Sequence, residues 1–224
     1  MKTAVLAGAI FASTSAFADC TVVPQLVTDI INGTQNSTVC VDELVTLNNE
    51  KVVFNLDSAA TTDGLTGATS TSMPIGLRHM WMLATANKAR ILEKGLNPKQ
   101  FSIIGIFHGS AAKWALSDQW WIDNVPGATG NPYKGWINRV LAFQNDGIDV
   151  QLEICGVTMS GNHWSNIPGS SWVDAAGTTH THAYSDVYPG IRVNQGAIGR
   201  LIDLEQNKGY AYIQEGFVDS DQPK

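Results

Sequence analysis

The chain has 224 residues, 44% of them hydrophobic and only 15% charged, with 14 basic and 20 acidic side chains and a net charge of −6. That hydrophobic share suits a globular domain and excludes a disordered chain. The acidic balance argues against nucleic acid or an anionic membrane as a partner, because phosphate binding needs clustered Lys and Arg.

In chain order, residues 1–18 (MKTAVLAGAIFASTSAFA) read as a secretory signal. Lys2 supplies the positive start, Ala4 to Ala12 a short apolar run, and Ala16-Phe17-Ala18 a small-x-small cleavage site. Cleavage after Ala18 is expected, with the mature protein in the periplasm. No later segment reaches the roughly 20 consecutive apolar residues of a membrane span, so the mature form is expected to have no membrane partner. Residues 19–50 form an extension with little pattern. It holds Cys20 and Cys40, which an oxidising compartment is expected to join. Closing that loop contributes about 3 kcal/mol in the chain-entropy account. Cys155 then remains as a lone thiol.

A domain is expected over 51–214, followed by a tail at 215–224. KVVFNL (51–56) reads as the first strand. Residues 75–94 read as a helix behind Pro74, with Leu77, Trp81 and Ala84 at helical spacing and Gly95 as its stop. FSIIGIF (101–107) is an almost unbroken apolar run that suits a strand buried on both faces. Asn131-Pro132 opens a second helix with Trp136, Val140 and Phe143 on one face, closed by Gly147. IDVQLEI (148–154) is the third strand, 191–193 a short fourth and GYAYI (209–213) the last, with a helix capped by Asn194 before it. Trp81, Trp114 and Trp136 are expected in the core. The alternation predicts an α/β protein of three layers, α/β/α, with a doubly wound, mostly parallel sheet of about five strands.

Function in such a sheet lies outside the carboxyl ends of the strands. Those ends carry Asp57-Ser58, His108-Gly109-Ser110 and Cys155-Gly156. A carboxylate, an imidazole and a thiol thus reach one rim. Asp57 also fits a turn cap, His108 a hydrogen-bonded rim histidine and Cys155 a core thiol. Three insertions follow the same strand ends. They are 58–74, rich in Gly, Ser and Thr; 117–131, with Trp120 and Trp121; and 159–187, with His163, Trp164, Trp172, His180, His182 and Tyr184. Loops of this length are uncommon, and the third is expected to cover the rim.

IDVQLEICGVTM (148–159) and VYPGIRVNQGAIGRLIDLEQNKGYAYI (187–213), with KVVFNL and FSIIGIFHG, resemble the DsrE/DsrF-like family of sulfur-relay proteins. The resemblance implies a doubly wound α/β/α fold, assembly as a homo-oligomer, and a sulfurtransferase or sulfur-carrier role. In the sulfur-carrying members a cysteine just after the third strand holds a persulfide, and Cys155 matches that position. The implied partners are a sulfur-donor or acceptor protein or a small sulfur compound, with no cofactor.

The residues support such chemistry on their own terms. A thiolate is the nucleophile, and the start of a following helix favours it. His108 is placed to take the proton. Gly156 would let a ligand approach the backbone. Asp57, Ser58, Gly109, Gly156 and His163 are the expected substrate-binding positions. A rival reading is a periplasmic metal- or small-ligand-binding protein using His108, His163, His180 and His182. His180 and His182 would share one side of an extended chain, although no metal motif is present. A third reading is a non-catalytic oligomeric interaction protein built on the tryptophans.

Overall fold

The computed structural model describes residues 21–24, 38–41, 48–57 and 74–215. The expected signal at 1–18, Cys20 and with it the Cys20–Cys40 pairing, Ser58 with nearly all of the 58–74 insertion, and the chain from 216 on lie outside the described residues. The chain divides into two units, Met1–Thr46 and Leu47–Lys224. In the first, β1 (Thr21–Pro24) pairs antiparallel with β2 (Thr38–Val41), setting Thr21 opposite Val41. The extension therefore has more regular structure than its sequence pattern predicts.

The second unit is built on five parallel strands. They are β3 (Glu50–Leu56), β4 (Phe101–Phe107), β5 (Asp149–Cys155), β8 (Ile191–Asn194) and β9 (Ala211–Glu215), in the order β8-β5-β4-β3-β9. All seven residues of β4 are buried, as its almost unbroken apolar sequence suits in the middle strand, and the Ser102 hydroxyl donates to Asp149 at 2.7 Å. The first three strands fall within a residue of expectation. The last is displaced to Ala211–Glu215, so that Glu215 belongs to the sheet.

Helix α1 (Ile75–Lys94) ends at Gly95, as predicted. Its buried stripe is Leu77, Met80, Ala84, Asn87 and Ile91. Trp81 lies beside that stripe and is only half-buried, whereas Trp114 and Trp136 are in the core. Met80 takes the inward position because it lies over Gly105 of β4: a Cβ there would meet its Sδ at 2.5 Å. α3 (Lys134–Leu141) packs beside α1, burying Trp136, Ile137 and Val140. It starts later than expected because Asn131 serves the loop instead. Asn131 donates from Nδ2 to the carbonyls of Trp114 and Leu116 at 2.7 and 2.6 Å, and accepts from the Tyr133 N–H at 2.7 Å.

Side chains alternate across a strand. Val53, Ile104, Ile106 and Cys155 therefore face away from Met80, and they pack against Ala197, Leu201 and Leu204. Ala197 and Leu201 belong to α5 (Ala197–Ile202), which continues as a π-type turn over 203–207. Helices thus cover both faces of an all-parallel sheet, which is the three-layer α/β/α architecture. Asn194 does not cap α5. It ends β8, and its Nδ2 donates to Glu153 at 3.1 Å.

Two of the expected loops contain regular elements. In 117–131, α2 (Asp118–Asn124) is capped by the Ser117 hydroxyl, which accepts from the Trp120 N–H at 3.2 Å. In the long third insertion, α4 (Gly156–Gly161) leaves β5 directly, and β6 (Ser171–Val173) pairs antiparallel with β7 (Thr179–Thr181). The Asp174 carboxylate accepts from the N–H groups of Ala176 and Thr178 in the turn between them.

Candidate functional site

Strand order and register bring the three expected groups into one rank. Leu56 lies opposite Phe107, and Phe107 opposite Ile154, so Asp57, His108 and Cys155 follow side by side at the ends of adjacent strands. The His108 N–H donates to the Leu56 carbonyl at 2.9 Å, which holds the β3 and β4 ends together. By alternation all three side chains share the α5 face with Asn55 and Glu153.

Cys155 is 5% exposed and stands where β5 passes into α4. Its Sγ accepts from the Ala197 N–H at 3.3 Å. Burial alone pushes the thiol up. The Thr158 hydroxyl and the N–H groups of Thr158, Ala197 and Val157 outweigh that and hold it below its ordinary value. A thiolate in this position is met by backbone dipoles from two elements rather than by a cationic side chain. The neighbouring Val157 and Ile198 are largely exposed and form an apolar collar. Gly156 is required by protein backbone rather than by a ligand, since a Cβ there would lie 2.6 Å from the Asn194 carbonyl oxygen. Gly109, at φ +55, is constrained in the same way by the Asp57 carbonyl oxygen.

His108 is tied into a chain of polar side chains that fixes its tautomer. The Asp57 carboxylate can only accept, so Gln214 Nε2 donates to its Oδ2 at 2.8 Å. Gln214 Oε1 therefore accepts, from Asn55 Nδ2 at 2.7 Å and from the Tyr212 hydroxyl. Asn55 Oδ1 is then the acceptor for His108 Nε2, at 2.5 Å. Nε2 carries the hydrogen and Nδ1 the lone pair. Burial lowers the affinity of the ring for a second proton, and the Asp57 charge offsets this only in part. His108 is thus a neutral base at neutral pH. It lines a cleft of about 270 Å³ with Asn55, Tyr212, Ile198 and Leu201. Leu201 belongs to the same buried cluster as Cys155.

Two residues before Cys155, Glu153 is buried on the same face. Arg200 of α5 meets it with Nη2 at 2.8 Å and Nε at 3.0 Å. The pair anchors α5, and with it the Ala197 N–H, against β5. Sequence reading missed Asn55, Gln214 and Arg200. The signal was a polar residue inside a buried run, Asn55 in KVVFNL and Glu153 in IDVQLEI.

The remaining candidates lie apart. His163 has φ +58, and its ring stacks on Trp172 at 3.9 Å; His180 stacks on Trp172 as well, at 4.4 Å. His180 pairs with Asp174 at 2.9 Å and His182 with Asp186 at 2.8 Å, so the two imidazoles serve different carboxylates. Among the described residues, no three His, Cys, Asp or Glu side chains are grouped as a metal would need.

The third insertion and the residue after it dock on the segment that follows β4. Ser117 N–H donates to the Asp186 carbonyl and Tyr188 N–H to that of Ala115, and Trp164 packs on Trp120. The donors to Cys155 come from α4 and from the start of α5. No helix among the described residues is long and apolar enough to cross a membrane.

No protein-family model and no curated protein matches the sequence. A solved structure of a protein of unknown function from Methanobacterium thermoautotrophicum is similar at 14% identity, over 74% of this chain and 99% of that one, with a TM-score of 0.35.

Proposed function

We propose that this is an exported, DsrE-like sulfur carrier that holds sulfane sulfur as a persulfide on Cys155. The observation that carries the reading is the set of donors around Sγ, which favours the thiolate in spite of burial. The thiolate attacks the outer sulfur of a polysulfide. One S–S bond forms, the next one breaks, and the shortened polysulfide leaves with the electron pair. In the persulfide the negative charge passes to the outer sulfur, one S–S bond beyond Sγ, while the same donors keep Sγ in place. An acceptor thiolate then takes the outer sulfur and frees Cys155. His108, neutral and with Nδ1 unprotonated, is the base that removes a proton from an incoming thiol or hydropolysulfide. The partners are a sulfur-donor or acceptor protein or a small sulfur compound. The exposed Val157 and Ile198 give a partner, or a second copy of the chain, an apolar footing beside the thiol.

Intact mass after exposure to polysulfide tests this. Wild type gains reductant-sensitive steps of about 32 Da, one sulfur atom, and Cys155→Ser does not, because a serine hydroxyl is far less nucleophilic at neutral pH. His108→Ala slows loading without abolishing it. Equal loading of wild type and Cys155→Ser would overturn the proposal.

A further inference from the structure

A second cleft, of about 320 Å³, opens between α2 and the third insertion. Its walls include Trp120, Trp164 and Tyr184, with Asp123 and Asp186 among them. Trp120 and Trp164 stand nearly perpendicular, with ring centres 5.6 Å apart and planes at 78°, and so form a corner. Trp172 also reaches the cleft, but His163 and His180 already occupy its two faces. Trp120 also meets Trp121 edge to face, with ring centres 5.8 Å apart, so the ring surface left for a ligand is what these contacts leave of Trp120 and Trp164, both half-buried, together with Tyr184.

The carboxylates differ in how they are compensated. Asp186 accepts from the Ser165 N–H at 2.7 Å and pairs with His182. Asp123 has neutral partners, Gln119 Nε2 at 2.8 Å and the Tyr184 hydroxyl. Burial and then Asp123 push the Tyr184 phenol up to about 12, so Tyr184 stays a donor and adds no charge. The cleft therefore offers π faces at right angles beside the Asp123 carboxylate, with no Lys or Arg among its described lining residues. Ring faces carry negative potential and attract cations, most strongly those that are weakly hydrated and bulky. An anion would be repelled, and a neutral sugar would leave the Asp123 charge unmet.

We infer that this cleft binds a small organic cation of the quaternary or alkylated ammonium class, with Trp120, Trp164 and Tyr184 as the box and Asp123 as the counter-charge. The site is separate from Cys155 and does not rest on the sulfur-carrier reading.

The test is titration of the full mature protein at pH 8, where an ordinary imidazole is neutral, followed by calorimetry and tryptophan fluorescence. The probes are tetramethylammonium, choline, the neutral choline isostere 3,3-dimethylbutan-1-ol, and glucose. Saturable binding of both cations is expected, with the isostere at least about tenfold weaker. Asp123→Asn should weaken choline by about tenfold, whereas Tyr184→Phe, which keeps the ring and frees the carboxylate, should retain it. Alkylation of Cys155 should be unaffected by choline. Equal binding of choline and its isostere, glucose binding alone, or no saturable cation binding would each overturn the inference. The wild-type comparison of choline with its isostere decides the matter even if a variant fails to fold.

Discussion

At the rim, the side chains of Cys155, His108 and Glu153 are set by strands whose positions the sheet ladder dictates. Their partners are backbone N–H groups, the buried Asn55 amide and the ion pair of buried Glu153 with half-buried Arg200. In the insertion at 159–187, three-residue strands do little of that work. Trp172 between two imidazoles, Trp164 against Trp120, and the Asp174 turn hold the segment together, mostly from half-exposed positions. The rim is thus over-determined by the fold. The insertion depends on a few rings. Damage at the rim should be felt across the domain, and damage in the insertion should stay local.

The strongest way to break that contrast is at Arg200. Its loss would strand the Glu153 carboxylate, whose side chain is 4% exposed. An unpaired buried charge costs several kcal/mol. Arg200→Met is expected to lower the unfolding free energy by about 3 kcal/mol, read as a lower urea midpoint with an unchanged slope. Replacing both partners, as Glu153→Leu with Arg200→Met, should recover most of that loss. If the single variant is as stable as wild type, α5 is anchored by its apolar contacts alone.

The counterpart in the insertion is Trp172→Ala. Removing the shared ring breaks two stacks, each of order 1 kcal/mol. The expected result is faster amide exchange over residues 163–182, with little change in the global urea midpoint. A global loss equal to that of Arg200→Met would mean that the insertion is part of the core.

How much was legible follows the same division. The three central strands could be read because FSIIGIF is almost entirely apolar, KVVFNL is rich in β-branched and aromatic residues, and IDVQLEI alternates apolar with polar side chains. The rank of Asp57, His108 and Cys155 follows from strand ends once the order is β3-β4-β5. What could not be read is non-local. Gln214 reaches Asp57 and Asn55 across the β3–β9 pair, and nothing near either residue announces it. Asn194 looked like a helix cap, but Glu153 on the neighbouring strand claims its side chain. Trp81 looked like core, but the close approach of α1 to Gly105 favours the flexible Met80 at the inward position. The aromatic cleft joins residues 120–123 to 164–186, so local periodicity carries no trace of it. Ser117 ahead of Asp118 was a readable cap that the tryptophan content of the segment obscured.

The smallest expected effect sharpens the rim itself, because it asks which donors hold the Cys155 thiolate. The folded thiol titrates below its ordinary value, so the rate of alkylation by iodoacetamide should reach half its maximum at a lower pH than in the urea-unfolded chain measured in parallel. The sign for stability is set by the same shift: with the folded value below the unfolded one, the contribution is complete above the ordinary thiol value and is lost as pH falls through the folded value. His108 acts in the same direction at lower pH. Its folded value is also depressed, so the stability it contributes as a neutral ring is present above the ordinary histidine value and is lost as pH falls through the folded one. Thr158→Val separates side chain from backbone at the thiol. It removes the hydroxyl but keeps the N–H groups of Val157, residue 158 and Ala197. The alkylation midpoint should therefore rise while remaining below that of an ordinary thiol. An unchanged midpoint would assign the whole effect to the backbone. A midpoint at the ordinary value would assign it to the hydroxyl, and the strand-to-helix passage would then play no part in activating Cys155.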